Sequence, residues 1–119
     1  MYSDPQTVTI NAVAQTLPRT GVGVHSGEFT KDDGTVRLSM SHQYGKRTRR
    51  TCRLDFSKIA ADPLVSAQNI KYSMSAYIVV DTPITGFTVA EAKQIVDALT
   101  AYLTASSGAR VTQLLGGEI

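Results

Sequence analysis

The stretch YGKRTRRTCRLDF, Tyr44–Phe56, holds five of the twelve Lys and Arg residues of a 119-residue chain. Its second half is more than a basic run, because Cys52, Leu54 and Phe56 alternate with Thr51, Arg53 and Asp55. A period of two puts successive side chains on opposite faces of a strand. One face is then Cys52, Leu54 and Phe56; the other is Arg49, Thr51, Arg53 and Asp55. Arg50 falls on the apolar parity beside a turn at Tyr44-Gly45. Either it snorkels past the sheet end or a bulge shifts the register. Lys46 and Arg47, at the tip, read as solvated charges.

Upstream, Thr35–Gln43 (TVRLSMSHQ) alternates strictly, with Val36, Leu38 and Met40 on one face and Arg37, Ser39 and Ser41 on the other. Before it lies Glu28–Lys31, then Asp32-Asp33-Gly34, a tight-hairpin signal whose central residues favour positive φ. Gly21–Gly27 contains a G-x-G but no Gly-Lys-Ser/Thr and no helix signal, so it reads as a connector or bulged strand. A phosphate cradle needs a helix N-terminus there. Thr7–Ile10 reads as a short strand, with Gln15–Thr20 as its partner and Pro18 confining that partner to an edge.

Downstream, Ser57–Gln68 breaks the period, contains Pro63, and reads as a long loop. Asn69–Val80 alternates again. Ile70, Tyr72, Met74, Ala76, Ile78 and Val80 share one face; Lys71, Ser73, Ser75 and Tyr77 share the other. Thr88-Val89-Ala90-Glu91 is a capping box. A helical stripe of Val89, Ala92, Val96, Leu99 and Leu103 follows, ended by Ser106-Ser107-Gly108. Ala109–Leu115 reads as a second short helix, stopped by Gly116-Gly117.

The pattern predicts one α+β domain over residues 1–119. An N-terminal β-hairpin and connector (1–27) precede an antiparallel meander sheet (28–80, with loop 57–68) and two C-terminal α-helices (88–115). Two helices are thin cover for such a sheet, and an open sheet has edges. Asn69–Val80 lacks any proline to protect it, so a symmetric dimer with a continuous intersubunit sheet is expected, helices covering one face.

The totals exclude several classes. With 42% apolar and 18% charged residues the chain is foldable rather than disordered. The net charge is only +2, but residues 1–87 carry ten basic and seven acidic groups and residues 88–119 carry two and three. One cysteine, Cys52, precludes an intrachain disulfide and reads as a small buried apolar residue. No stretch approaches the roughly 20 apolar residues of a membrane helix, and the N-terminus MYSDPQTV has no signal-peptide pattern. The two histidines, His25 and His42, have no metal-ligand spacing. No G-x-S-x-G, H-E-x-x-H or Walker sequence is present, so no enzyme, metal, cofactor or small-molecule substrate is expected.

A polar face on an antiparallel sheet is by default a solvated one. Here its cations align: Arg37, Arg49, Arg53 and Lys71 fall on one predicted surface, with short hydroxyls between them. Guanidinium groups suit bidentate contact with phosphate, and hydroxyls hydrogen-bond phosphates, sugars or base edges without crowding them. Tyr77, at the same parity, can stack on a base.

The order of elements, with RTCRLDFSK (Arg50–Lys58) and SMSAYIVVDTPITGFT (Ser73–Thr88), resembles the coat proteins of single-stranded RNA bacteriophages, the leviviruses. The resemblance covers nearly the whole chain and rests on order, spacing and local pattern. It implies an interlocked homodimer with one continuous sheet, helices outside and the polar face inside, assembled into an icosahedral shell around single-stranded genomic RNA. It implies a virion protein assembled in the bacterial host cytoplasm. Many such proteins also bind an RNA hairpin and repress translation. Carried over by position, the RNA face comprises Arg37, Ser39, Ser41, Arg49, Thr51, Arg53, Lys71, Ser73 and Ser75, and the loop Ser57–Gln68 sits at symmetry axes. The alternative is a dimeric, sheet-based RNA-binding regulator that never assembles.

Overall fold

The computed structural model describes residues 2–61, 63–65 and 67–119. The chain divides into two compact units, Met1–Asp81 and Thr82–Ile119.

The first unit begins with an antiparallel hairpin of β1 (Gln6–Ile10) and β2 (Val13–Leu17). Asn11 (φ 51°) and Ala12 (φ 63°) form its two-residue turn. Both lie in the left-handed region that such a turn requires. The returning strand is therefore shorter than the expected Gln15–Thr20. Pro18, which has no N–H to donate, separates β2 from β3 (Arg19–Val22), and β3 joins the other sheet.

That sheet has the order β3-β4-β5-β6-β7, with β4 Ser26–Thr30, β5 Val36–Gln43, β6 Arg47–Ala61 and β7 Asn69–Pro83. The neighbours from β3 to β6 pair antiparallel, as a meander. The Gly-rich segment is a connector, the turn of the β3–β4 hairpin: Gly23 N–H donates to Ser26 O at 2.8 Å, and the register shift lies just ahead of it, between Arg19 and Gly21. The Asp32-Asp33-Gly34 turn differs from the tight form expected. Lys31 N–H bonds Val36 O at 2.9 Å across a four-residue loop, and among Asp32, Asp33 and Gly34 only Gly34 has positive φ, at 74°. Asp33 Oδ1 accepts from the Thr35 N–H (3.0 Å) and hydroxyl (2.7 Å). These bonds, Thr35 first, pull the Asp33 carboxyl below its ordinary value.

The loop expected over Ser57–Gln68 is also shorter. β6 runs on through Ala61, and Ser57 N–H bonds Thr35 O at 2.8 Å, extending the ladder past the last register pair, Val36↔Phe56. Only residues 62–68 connect β6 to β7, and of these Asp62 and Ser66 lie outside the described residues.

The core is small and one-sided. Leu17, Phe29, Val36 and Met40 are buried, with Val8, Ile10, Leu38, Leu54 and Phe56 packed against them. The β1–β2 hairpin thus covers the apolar face over β4 and β5. Burial of each fully enclosed side chain stabilises by about 1.5–3 kcal/mol. The cover stops at β6. Cys52, opposite Met40 on the apolar face, is exposed in the single chain rather than buried as expected. Ile70, Tyr72 and Met74 of β7 are exposed too. Partial desolvation still raises the Cys52 thiol above its ordinary value.

The second unit carries one continuous helical element, α1 (Val89–Leu115), made of two helical segments that meet at a break where the sequence reading ended its first helix. It is interrupted at Ala105–Gly108; Ser106, Ser107 and Gly108 take φ of 55°, 58° and 78°. Left-handed backbone costs a serine roughly 1–2 kcal/mol. Arg110 spans the break, donating to Tyr102 O at 3.1 Å and stacking over the Tyr102 ring at 4.1 Å. The first turn carries the Thr88 half of the capping box, with Thr88 Oγ1 accepting from Glu91 N–H at 3.2 Å. None of the helix side chains is buried; Val89 and Leu99 of the apolar stripe are exposed, as are Ile95 and Tyr102 beside it.

Candidate nucleic-acid interface

The β5–β6 register determines which side chains share a face. Arg37 pairs with Asp55, Ser39 with Arg53, Ser41 with Thr51, and Gln43 with Arg49. The register runs unshifted through all eight pairs, so no bulge displaces Arg50. Arg37, Ser39, Ser41, Arg49, Thr51 and Arg53 therefore stand on one side of the sheet, opposite the core residues Val36 and Met40. On β7, Arg53 Nη2 reaches Ser75 Oγ at 3.4 Å, and the Arg53 guanidinium lies 5.5 Å from the centroid of the Tyr77 ring. The odd-numbered residues of β7 thus face the same way.

These side chains bound a shallow groove of about 510 Å³ across β4, β5, β6 and β7, lined by Arg37, Arg53, Lys71, Ser73 and Ser75 together with Glu28, Thr30 and Asp55. Five of the nine residues carried over by resemblance meet there; Ser39, Ser41, Arg49 and Thr51 lie farther along the same face.

The electrostatics differ from a plain cationic surface. Asp55 Oδ1 accepts from Arg53 Nε at 3.0 Å and Oδ2 from Arg37 Nη2 at 3.3 Å. Glu28 Oε1 lies 4.0 Å from Arg37 Nη1. Arg47, which reads in the sequence as a solvated charge, pairs with Asp81 at 3.1 Å, bridging the start of β6 to β7. Among the described residues neither Arg49 nor Lys71 meets a carboxylate. Reading faces strand by strand finds the cations and the i,i+2 neighbours Arg53 and Asp55 of β6, but misses the pairs between strands. Only the cross-strand register places Arg37 beside Asp55, and only the order of β6 and β7 places Arg47 beside Asp81.

The opposite face ends in another cluster. Arg50 Nη1 lies 3.1 Å from His42 Nδ1 and 3.4 Å from Tyr44 Oη, and the His25 ring meets Tyr44 edge-on at 4.9 Å. His42, on the same side of β5 as Met40, is half-buried. No group of three metal-ligating side chains occurs among the described residues.

A two-stranded hairpin, a five-stranded sheet and a C-terminal helix, in this order, recur in solved phage particles. The chain superposes on the virus-like particle of bacteriophage AVE019 with a TM-score of 0.77 at 13% identity, covering 89% of this chain and 90% of that one. The fold is that of the levivirus coat proteins. The virus-like particle of Beihai levi-like virus 21 matches this coat-protein fold with a TM-score of 0.72 at 11% identity over 95% and 94% of the two chains. The bacteriophage GA protein capsid matches with a TM-score of 0.67 at 13% identity over 98% and 95%. No protein-family model matches the sequence, and no curated protein matches it. The fold is thus shared at 11–13% sequence identity.

Proposed function

We propose that this chain is a capsid protein that dimerises and assembles into a shell around single-stranded RNA, holding the RNA against the polar face of its sheet. The observation that carries the reading is the groove in which Arg37, Arg53 and Lys71 converge with Ser73 and Ser75 on an uncovered sheet face, in a fold found in phage capsids. Binding at such a face is driven by phosphate neutralisation and release of counterions, so it weakens steeply with salt. The hydroxyls and Tyr77 add hydrogen bonds and stacking that suit unpaired bases of a loop, and a translation-repressing hairpin complex is the fitting regulatory use. Dimerisation is supported by the bare apolar face of β6 and β7, with Cys52, Ile70, Tyr72 and Met74 exposed in the single chain. A second copy supplies its cover.

Electron microscopy of the purified protein, with its nucleic-acid content measured after nuclease treatment, tests this reading. Closed shells that protect RNA support it. A discrete dimer that binds RNA without assembling marks a regulator instead, and empty shells indifferent to RNA remove the role of the polar face.

A further inference from the structure

The polar face contains its own competitor for phosphate. Asp55 gives one carboxylate oxygen to each of two arginines, and Glu28 approaches Arg37 from the other side. The Asp55 side chain is 23% exposed, against 47% for Arg37 and 46% for Arg53, so the carboxylate sits low between two guanidiniums that project above it. Asp55 is not needed there to balance a buried charge, because both arginines are well solvated. Exposed pairs of this kind stabilise a fold by only about 0–1 kcal/mol. Their stronger effect is on what else the arginines can bind. A carboxylate and a phosphate compete for the same N–H donors, and a fixed negative charge at the groove floor repels any polyanion.

Resting on the RNA-face reading, we infer that Asp55 is a specificity-determining residue that attenuates binding of unstructured RNA. Phosphates alone must displace or share an occupied carboxylate at Arg37 and Arg53. An RNA that also offers a base to Tyr77 and sugar or base contacts to Ser73 and Ser75 gains enough in addition to bind. A folded RNA anchored on Tyr77, Ser73 and Ser75 need not set a phosphate on the Arg37–Asp55–Arg53 cluster and so escapes the cost that an unstructured strand meets there, and the difference between the two costs is discrimination. The same carboxylate holds Arg53 within reach of both Ser75 and Tyr77, so its removal loosens the side chain that borders the stacking ring.

The test compares wild type with Asp55→Asn, Glu28→Gln and Asp33→Asn in solution, using a short fluorescein-labelled oligouridylate and fluorescence anisotropy over a range of salt concentrations. Asp55→Asn is expected to bind the oligouridylate about tenfold more tightly, with a salt slope steeper by about 0.7 for each phosphate newly engaged. Glu28→Gln, which removes only the longer 4.0 Å pair, gives a smaller gain. Asp33→Asn, on the β4–β5 loop, gives none. Equal or weaker binding by both Asp55→Asn and Glu28→Gln, with unchanged slope, overturns the inference while leaving the RNA face standing. Failure of wild type and every variant to bind overturns the RNA-face reading itself, and the role of Asp55 with it. Glu28→Gln keeps the test decisive should Asp55→Asn fail to fold.

Discussion

Arg50 and His42 stand opposite each other across the β5–β6 ladder, with Arg50 Nη1 3.1 Å from His42 Nδ1. The neighbouring pair, Gln43 and Arg49, points to the other side of the sheet. Two adjacent arginines therefore have unrelated tasks. Arg50→Ala is expected to leave RNA affinity unchanged and to lower stability by about 0.5–1 kcal/mol, through loss of an exposed hydrogen bond and the contact with the Tyr44 ring. Arg49→Ala is expected to keep stability and to reduce the salt slope of RNA binding by about 0.7. Thermal melts and anisotropy titrations on both variants check the assignment. An exchange of the two phenotypes means the strand phase is inverted.

Leu17 joins the hairpin to the sheet. It is fully buried and packs with Phe29, Val36 and Met40, although it belongs to the separate two-stranded sheet. Leu17→Ala is expected to destabilise by about 2–5 kcal/mol, a large share of the roughly 5–15 kcal/mol of a typical domain. The midpoint of urea unfolding measures it.

The Asp33 carboxyl lies below its ordinary value because Thr35 donates to its charged form. A depressed folded-state value contributes stability that is fully present above the unfolded value, 3.8, and is lost as pH falls through the folded one. Asp33→Ala should therefore be less stable than wild type at about pH 6, with the gap closing below about pH 4. Denaturant unfolding at several pH values reads this directly. A gap that stays constant down to the lowest pH excludes the Asp33–Thr35 bonds as its source.

Cys52 reports on whether a second copy covers the β6–β7 face. In the single chain it is exposed, with a thiol raised by partial desolvation, so it should react with disulfide reagents slowly at neutral pH and faster as pH rises. In the proposed assembly the same thiol should be protected. Equal labelling rates for assembled and dissociated protein exclude cover of that face by a partner.

Most of the sheet was legible because its residues obey one physical rule. Alternation, strict in Val36–Gln43 and broken only by Arg50 in Arg49–Phe56, assigned each side chain to a face, and the register keeps Arg37, Arg49 and Arg53 together. The misreadings arose where backbone geometry is set without the usual residues. Asn11-Ala12 turns the chain with positive φ at an alanine, which turn chemistry does not favour. Ser57–Ala61 stays in the sheet although Pro63 drew the expected boundary inward. Cys52 is on the apolar side as read, yet exposed, because parity assigns a face and says nothing of its cover. The pairs Arg37–Asp55 and Arg47–Asp81 were out of reach for a different reason: they depend on distances between strands, which no single strand encodes, whereas Arg53 and Asp55 are i,i+2 neighbours on one face of β6.

The interleaving of acids with arginines has an outcome at the scale of a filled particle. Arg37, Arg47, Arg49, Arg53 and Lys71 are offset by Glu28, Asp55 and Asp81, leaving a surplus of two positive charges per subunit on this side. In the proposed shell, so sparsely charged a lining would neutralise few of the phosphates it encloses and leave the rest to mobile cations, so that internal pressure would be a matter of the medium as much as of the protein.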